Sequence, residues 1–539
     1  MIIKETPKSH DDLRANFRWS IPERYNIGTA CARRHRHSNS LAILDVAEDG
    51  TVRSCSFAQL DALSNRFANV LVTNKVQRGD RVAIMASQSI ETAAAHLAIY
   101  KLGAIAVPMA AQFGHNAIVH RLNVSEAKFA VVSSNVRERF EAAAKSIGVD
   151  LKLAVTDGEG EDSFSTLCSK ASDNFQAVST SANGPAMMLF TSGTTGTPKA
   201  ALHAHRVVPA HVPGIQLSQD LMPVEGDLLW TPSDWAWAGG LLNALLTALS
   251  LGVPVVAART SRFDPHWAAS LITKVSVRNL FMPATALRLM LAENVGPLGD
   301  VRSIGSAGEA LGAETLDRAK AAWGLNINEF YGQTECNTVI GSSSLLGAVK
   351  SGSMGKATPG HRVRLLDEQG AEAPQGTYGE IAIHRDSPAM FLGYWRDKAA
   401  TDAKFSGDWL RTGDEARMDA DGFLFFRGRT DDVITTSGYR VGPVEIEDVL
   451  TSHDHVSLAA VVGISDVVRT QRITAFVKLQ NAIPSPELAQ QLRSLVRSRL
   501  SPHQTPAEVH FVDHIPTTES GKIIRRRFRE NGLSSINAA

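Results

Sequence analysis

Cysteine is scarce in this chain: four residues in 539, Cys31, Cys55, Cys168 and Cys336, with no C-x-x-C pair. That scatter excludes a disulfide framework and a cysteine-based zinc site. Charge of one sign is missing too, because 55 Lys and Arg balance 55 Asp and Glu. No global field therefore draws in nucleic acid or an anionic membrane, and any polyanion must be handled locally. Long apolar runs are also absent: no uninterrupted stretch reaches the roughly 18 residues that a membrane span needs. The opening MIIKETPKSHDDLRAN carries both charge signs and no hydrophobic signal region, so the expectation is a cytoplasmic protein with no integral membrane contact. His203 and His205 have no carboxylate or cysteine at metal-binding spacing. The short basic run ARRHRHS, 32–38, reads as a solvated helix face.

What is present is length and alternation. A chain of 539 residues subdivides, since single cores stop growing well below that size. From about residue 80, apolar runs alternate with helical patterns: RVAIMAS, ETAAAHLAIYKLGA, AIAVPMA, AKFAVVSS, and later GDLLWTP, GGLLNALLTALSLG and VPVVAAR. Such alternation predicts βαβ units and a large parallel-sheet domain. After about residue 355, DEQG, PQGTYG and DADG turns break the chain into short strands, which suits a β-rich subdomain. Past GRTDD a further unit begins, with helical VEIEDVLTSH, two strand-like runs and the periodic helix PELAQQLRSLVRSRL. The fold class expected is α/β: a large N-terminal domain, 1–430, of parallel αβ subdomains plus a β-rich subdomain, and a small mobile α+β domain, 431–539.

The run LFTSGTTGTPKAALHAH, 189–205, stops an apolar strand at a cluster of hydroxyls, glycines and a lysine. Gly193 and Gly196 let backbone N–H groups turn inward, Thr191, Ser192, Thr194, Thr195 and Thr197 add donors, and Lys199 adds charge, a set suited to phosphate oxygens. A solvated surface turn is the plain alternative. It is not a Walker A loop, because no Ser or Thr follows the lysine. A second polar turn, NEFYGQTECN, groups Tyr331, Gln333, Thr334 and Glu335: a flat ring for a base, a hydroxyl, and a hard oxygen ligand for Mg²⁺. In a third segment Asp414 follows a glycine and Arg429 precedes the break between domains; a carboxylate there accepts from ribose hydroxyls or simply forms a turn. A fourth, HIPTTESGKIIRRRFRE, puts Lys522 in an exposed turn.

Together, in this order, these motifs resemble the adenylate-forming (AMP-binding) acyl-CoA synthetases, whose relatives include aryl-CoA ligases, peptide-synthetase adenylation domains and luciferases. The resemblance spans nearly the whole chain. It implies that Thr191 to Lys199 closes on the ATP phosphates and that Gly308, Glu309 and Ala310 with Tyr331 form the adenine slot. It further implies phosphate and Mg²⁺ contacts from Thr334 and Glu335, with Gln333 beside them, and ribose contacts from Asp414 and Arg429. Lys522 matches the catalytic lysine of the mobile domain and Asp431 its hinge. Gly438, Tyr439 and Arg440 match the segment that meets coenzyme A. The substrates and cofactors implied are a carboxylic acid, ATP, Mg²⁺ and CoA. The macromolecular partners implied are a second copy of the chain in a homodimer and a lysine acetyltransferase acting on Lys522.

The acid itself is less legible. TPSDWAWAGGLLNALL, 231–246, is the expected wall of the acyl pocket, with Trp235, Ala236 and Gly239 on it and Gly332 facing it. Trp235 and Trp237 either limit its depth or belong to the core. No basic residue in this stretch is dedicated to a second carboxylate, so a monocarboxylic, fairly apolar acid is expected. The segment resembles medium-chain acyl-CoA synthetases and 3-methylmercaptopropionyl-CoA ligases, which implies butyrate, a similar chain or a short thioether acid. A benzoate-like acid, or loading of a carrier protein, is the alternative.

Overall fold

The structure, a computed structural model, describes residues 3, 7–37, 39–191, 198–258, 263–437, 439–466, 469–518 and 522–531. Two large sheets form its centre. The first has the spatial order Gly393–Tyr394, Lys199–Ala204, Pro185–Thr191, Ile105–Pro108, Arg81–Met85, Phe129–Val132, Lys152–Val155. The last five of these strands run parallel, while the two at the other edge pair antiparallel. The second sheet has nine strands, from Lys356–Ala357 through Asn337–Gly341, Ile327–Gln333, Ser303–Ser306, Asn279–Phe281, Leu229–Trp230, Val255–Ala258 and Leu41–Val46 to Val52–Ser56. Its interior is parallel and both of its edges are antiparallel.

The helix Ile90–Leu102 buries every residue except Glu91, and its alanines keep its girth small enough for that enclosure. It starts where the Ser89 hydroxyl accepts from Thr92 N–H, 3.1 Å, and stops at Gly103, whose φ of +70° suits a left-handed cap. One core cluster takes in Ile43 and Val255 from the nine-stranded sheet together with Val82 and Met187 from the seven-stranded sheet.

A third, antiparallel sheet follows, built from Val363–Leu366, Tyr378–His384, Trp409–Met418, Phe405–Ser406 and Leu424–Arg429. From Ile434 the chain forms a separate five-stranded sheet with its own core, in which Ile446, Leu450 and Leu492 pack under Val461 and Ala475.

Two local expectations change. NEFYGQ is not a turn: Ile327–Gln333 is strand through Gln333, and only Thr334, Glu335 and Cys336 make the connection to Asn337–Gly341. The polar side chains there disguised an edge hairpin, for which alternation is a weaker signal than in a buried strand. GGLLNALLTALSLG is not one uniform helix either. Gly239–Leu246 is π-helical and passes into an α-turn at Thr247–Leu251. Gly240 is pressed against the backbone there, with a Cβ at that position falling 2.4 Å from Asp234 O.

Candidate active site

Both polar loops are hairpin connections at the antiparallel edges of the two large sheets. Thr191 pairs with Lys199 across the mouth of the first and Gln333 with Asn337 across the second. Ser192, Gly193, Thr194, Thr195, Gly196 and Thr197, named from sequence as the body of the first loop, lie outside the described residues, as do Gly438 and the side chain of Arg440. In the second hairpin Gly332 admits no side chain, since a Cβ would stand 1.7 Å from Asn337 O.

Tyr331, Gln333, Asp414 and Arg429 converge. The Tyr331 hydroxyl and the Gln333 amide both donate to Asp414 Oδ2 at 2.6 Å, and Arg429 Nη1 stands 3.3 Å from Oδ1. The register sets this up, because Asp414 and Arg429 are direct cross-strand partners. Gln333 also donates to Thr412 O at 2.8 Å. Burial, reinforced by the Asp414 charge, drives the Tyr331 phenol well above its ordinary range, so it stays a neutral donor.

The 308–311 turn is held from below. Gly308 takes φ +99°, and Arg288 donates to the carbonyls of Ala310 and Leu311 at 2.7 and 3.1 Å. Glu309 accepts from Thr285 Oγ1 at 2.9 Å, with Arg288 Nη1 3.8 Å away. Burial raises the Glu309 carboxyl, while Arg288, the Thr285 bond, Lys522 and Arg525 oppose the rise. The Lys522 backbone is pinned at the loop ends, with Thr518 N–H donating to Lys522 O at 2.7 Å and Lys522 N–H to Thr518 Oγ1 at 3.0 Å. Asp431 accepts from Arg429 Nε at 3.4 Å and lies directly before the sheet of the small domain. Tyr439 is exposed and stacks on His503 at 4.3 Å.

In the 231–246 segment, expected from sequence to wall the acyl pocket, Trp235 is 1% exposed and belongs to the central core, whereas Trp237 is partly buried and meets Phe113 edge-on at 5.8 Å. Of the two tryptophans, only Trp237 keeps some surface. Ala236 N–H donates to Asp234 Oδ1 at 2.9 Å, and burial pushes that carboxyl up to about 6. A Cβ at Gly239 would meet Phe281 at 3.0 Å. Deeper, His211 Nε2 and Asn243 Oδ1 are 2.5 Å apart between the helix Val207–Ser218 and the π-helix.

A family model described as AMP-binding enzyme matches residues 31–395, and one described as AMP-binding enzyme C-terminal domain matches 445–522. The chain belongs to the AMP-binding enzyme family. It is an AMP-forming acid–thiol ligase of the acyl-CoA synthetase kind, and ATP, Mg²⁺ and CoA are its cofactors. It is similar to an acyl–CoA ligase of Bacillus subtilis, 31% identical over 94% of this chain and 96% of that one. Rat mitochondrial acyl-coenzyme A synthetase ACSM3 is 30% identical over 98% and 94% of the two chains. Among solved structures, the acyl-CoA synthetase of Brucella canis superposes with a TM-score of 0.75 at 33% identity, covering 97% of this chain and 98% of its own. A benzoate CoA ligase from Burkholderia xenovorans gives 0.84 at 28%, covering 94% and 100%.

The donor set fits a divalent cation accompanying ATP. Glu335 is 6% exposed, and among the described residues its side chain has the Tyr394 hydroxyl as hydrogen-bond partner, 2.5 Å from Oε1, with no cation at ion-pair distance. A buried carboxylate facing only a neutral donor calls for positive charge. Sequence reasoning missed Tyr394, along with Arg288, Thr285 and Asp448. FLGYW has no polar spacing of its own, and only its pairing with the Lys199 strand brings it to the site.

Proposed function

We propose that this AMP-binding enzyme converts a short- or medium-chain monocarboxylic acid, thioether acids included, to its CoA thioester through an acyl adenylate. In the first step a carboxylate oxygen attacks the α-phosphorus of ATP and pyrophosphate leaves. In the second the CoA sulfur attacks the acyl carbonyl, loses its proton to solvent, and AMP leaves. A carboxylate is a poor electrophile and its mixed anhydride with AMP a good one, so activation divides one hard step into two easier ones.

The observation that supports this reading is the convergence of Tyr331, Gln333 and Arg429 on Asp414. In this account Asp414 and Arg429 hold the ribose, and the 308–310 turn with the ring of Tyr331 forms the adenine slot. Thr191 to Lys199 with Thr334 grips the phosphates. Lys522 lies between the two anions that must meet. Glu335 would hold Mg²⁺, which would supply positive charge against the phosphate oxygens. Asp431 is the hinge, and 434–447 then brings Gly438, Tyr439 and Arg440 to CoA. The domain boundary falls at 430/431, the setting is cytoplasmic, and the assembly is a homodimer, to be read by light scattering. Acetylation of Lys522 would remove the charge that adenylation uses.

An aromatic acid is the second reading. The relatives include the benzoate ligase, and Phe281 packed against Gly239 offers a flat wall. AMP release measured with C2 to C12, thioether and aromatic acids, with and without CoA, decides between them. Highest kcat/KM for an aromatic acid overturns the first reading, and no acid-dependent AMP release overturns both.

A further inference from the structure

Tyr394 joins two loops that arrive from different sheets. Its strand, Gly393–Tyr394, lies along Lys199–Ala204 with Tyr394 opposite Ala201. The bonds around it fix that edge: Leu392 N–H donates to Leu202 O at 2.7 Å and Trp395 N–H to Ala200 O at 2.8 Å. The same segment grips the second hairpin, where Phe391 N–H donates to Glu335 O at 2.8 Å. At the side-chain level, the Tyr394 hydroxyl donates to Glu335 Oε1 at 2.5 Å, and its ring centroid stands 5.3 Å from the Lys199 ammonium. Tyr394 and Glu335 are 8% and 6% exposed. No described residue donates to Glu335 Oε2.

The geometry has two physical consequences. A carboxylate bonded through one oxygen to a rigid phenol cannot rotate freely, so its other oxygen presents a fixed lone-pair direction. An aromatic face attracts an ammonium by roughly 0.5 to 2 kcal/mol. Lys199 therefore has a resting place that is not the carboxylate, and the two opposite charges do not quench each other before phosphate arrives.

We propose that Tyr394 is a positioning residue for adenylation: its hydroxyl aims Glu335 at the divalent cation of Mg·ATP, and its ring keeps Lys199 apart from that carboxylate. The assignment rests on the reading of Glu335 and Lys199 given under Proposed function.

Tyr394→Phe keeps the ring and deletes the hydroxyl. Calorimetric titration of ATP without acid should show a Mg²⁺ requirement raised about 10-fold, the scale on which groups that orient metal ligands act, with metal-free ATP binding unchanged. KM for the acid at saturating Mg²⁺ should hold. In a Glu335→Gln background the same substitution should add nothing. Tyr394→Leu, which also removes the ring, should weaken metal-free ATP binding as well. A Tyr394→Phe protein with lowered Tm but wild-type Mg²⁺ dependence, or an equal loss in the Glu335→Gln background, overturns the assignment. Failure of the unmodified protein to bind Mg·ATP at all would instead overturn the functional reading beneath it.

Discussion

Gly312 and Asp448 meet where the small domain rests on the large one: a Cβ at Gly312 would stand 2.6 Å from Asp448 Oδ2. Gly312 has φ +82° and ψ 150°, a region almost closed to residues with side chains. Gly312→Ala is expected to cost about 1 to 3 kcal/mol of stability and to weaken this docked arrangement. Pyrophosphate exchange should fall roughly 10-fold, a change that about 1.4 kcal/mol produces. Thioester synthesis from supplied acyl adenylate should fall less. Equal loss in both half-reactions would show that the contact does not discriminate between arrangements.

The same carboxyl makes docking sensitive to pH. Burial pushes Asp448 up to about 7, with Arg288 opposing the rise at 3.9 Å and Glu447 and Glu445 adding to it. Freed into water, an aspartate titrates near 4. The docked form thus binds more protons between those values, and docking strengthens as pH falls from about 7. The carboxylate keeps some contact with water, so the slope should stay below the full ~1.4 kcal/mol per pH unit. Asp448→Asn, neutral throughout, should flatten the dependence of pyrophosphate exchange on pH in this window. An unchanged profile would assign the dependence to another group.

The extent to which sequence revealed this protein follows from where each signal lives. Buried parallel strands such as Phe129–Val132, and capped helices such as Pro486–Arg499, are local patterns and read directly. The hairpin character of the two polar loops did not read, because pairing register is non-local: nothing in LFTSGTTGTPKA says that Thr191 faces Lys199. Asp414 and Arg429 lie in one segment and are expected to share a ligand, but that they are direct cross-strand partners is a matter of register. Tyr394 and Arg288 act on residues far away in sequence, so no spacing could mark them.

Acid should unfold the protein early. Burial depresses His96, His203 and His361 to about 3, and His10, His205 and His211 to about 4. In the unfolded chain these rings titrate near 6.5. Between those values the unfolded state holds more protons, so stability is full above about 6.5 and is lost as pH falls. Each ring withdraws up to about 2 kcal/mol by pH 5. Urea midpoints should therefore drop steeply from pH 7 to 5; a flat profile would mean that the rings hydrate without unfolding.

Arg525 ties the last helix to the rest of the small domain. Its Nε and Nη2 bond the two Glu447 oxygens at 3.0 and 2.5 Å, and Nη1 reaches Asp432 at 3.3 Å. Arg525→Ala strands the buried Glu447 carboxylate, while Asp432 keeps Arg529 at 2.7 Å, and should cost about 3 kcal/mol. Arg525→Lys lacks the planar fork and should recover only part of that. Differential scanning calorimetry with limited proteolysis around 500–531 would read it, and wild-type resistance in the alanine variant would refute the clamp.

Lys522 and Asp431 should separate the two half-reactions. In the proposed scheme Lys522→Ala removes the cation between carboxylate and α-phosphate but leaves the thiol path intact. Pyrophosphate exchange should collapse, by 100-fold or more if its charge matters as oxyanion-stabilising donors do. Thioester formation from supplied acyl adenylate should persist. Asp431→Pro restrains φ at the proposed hinge, and it removes the N–H at that position. It should keep exchange near wild type and lose thioester formation, because in the proposed scheme only the second half-reaction calls for the turn. Stopped-flow and exchange assays on both variants test this together: opposite losses require two arrangements of one small domain, and parallel losses require one.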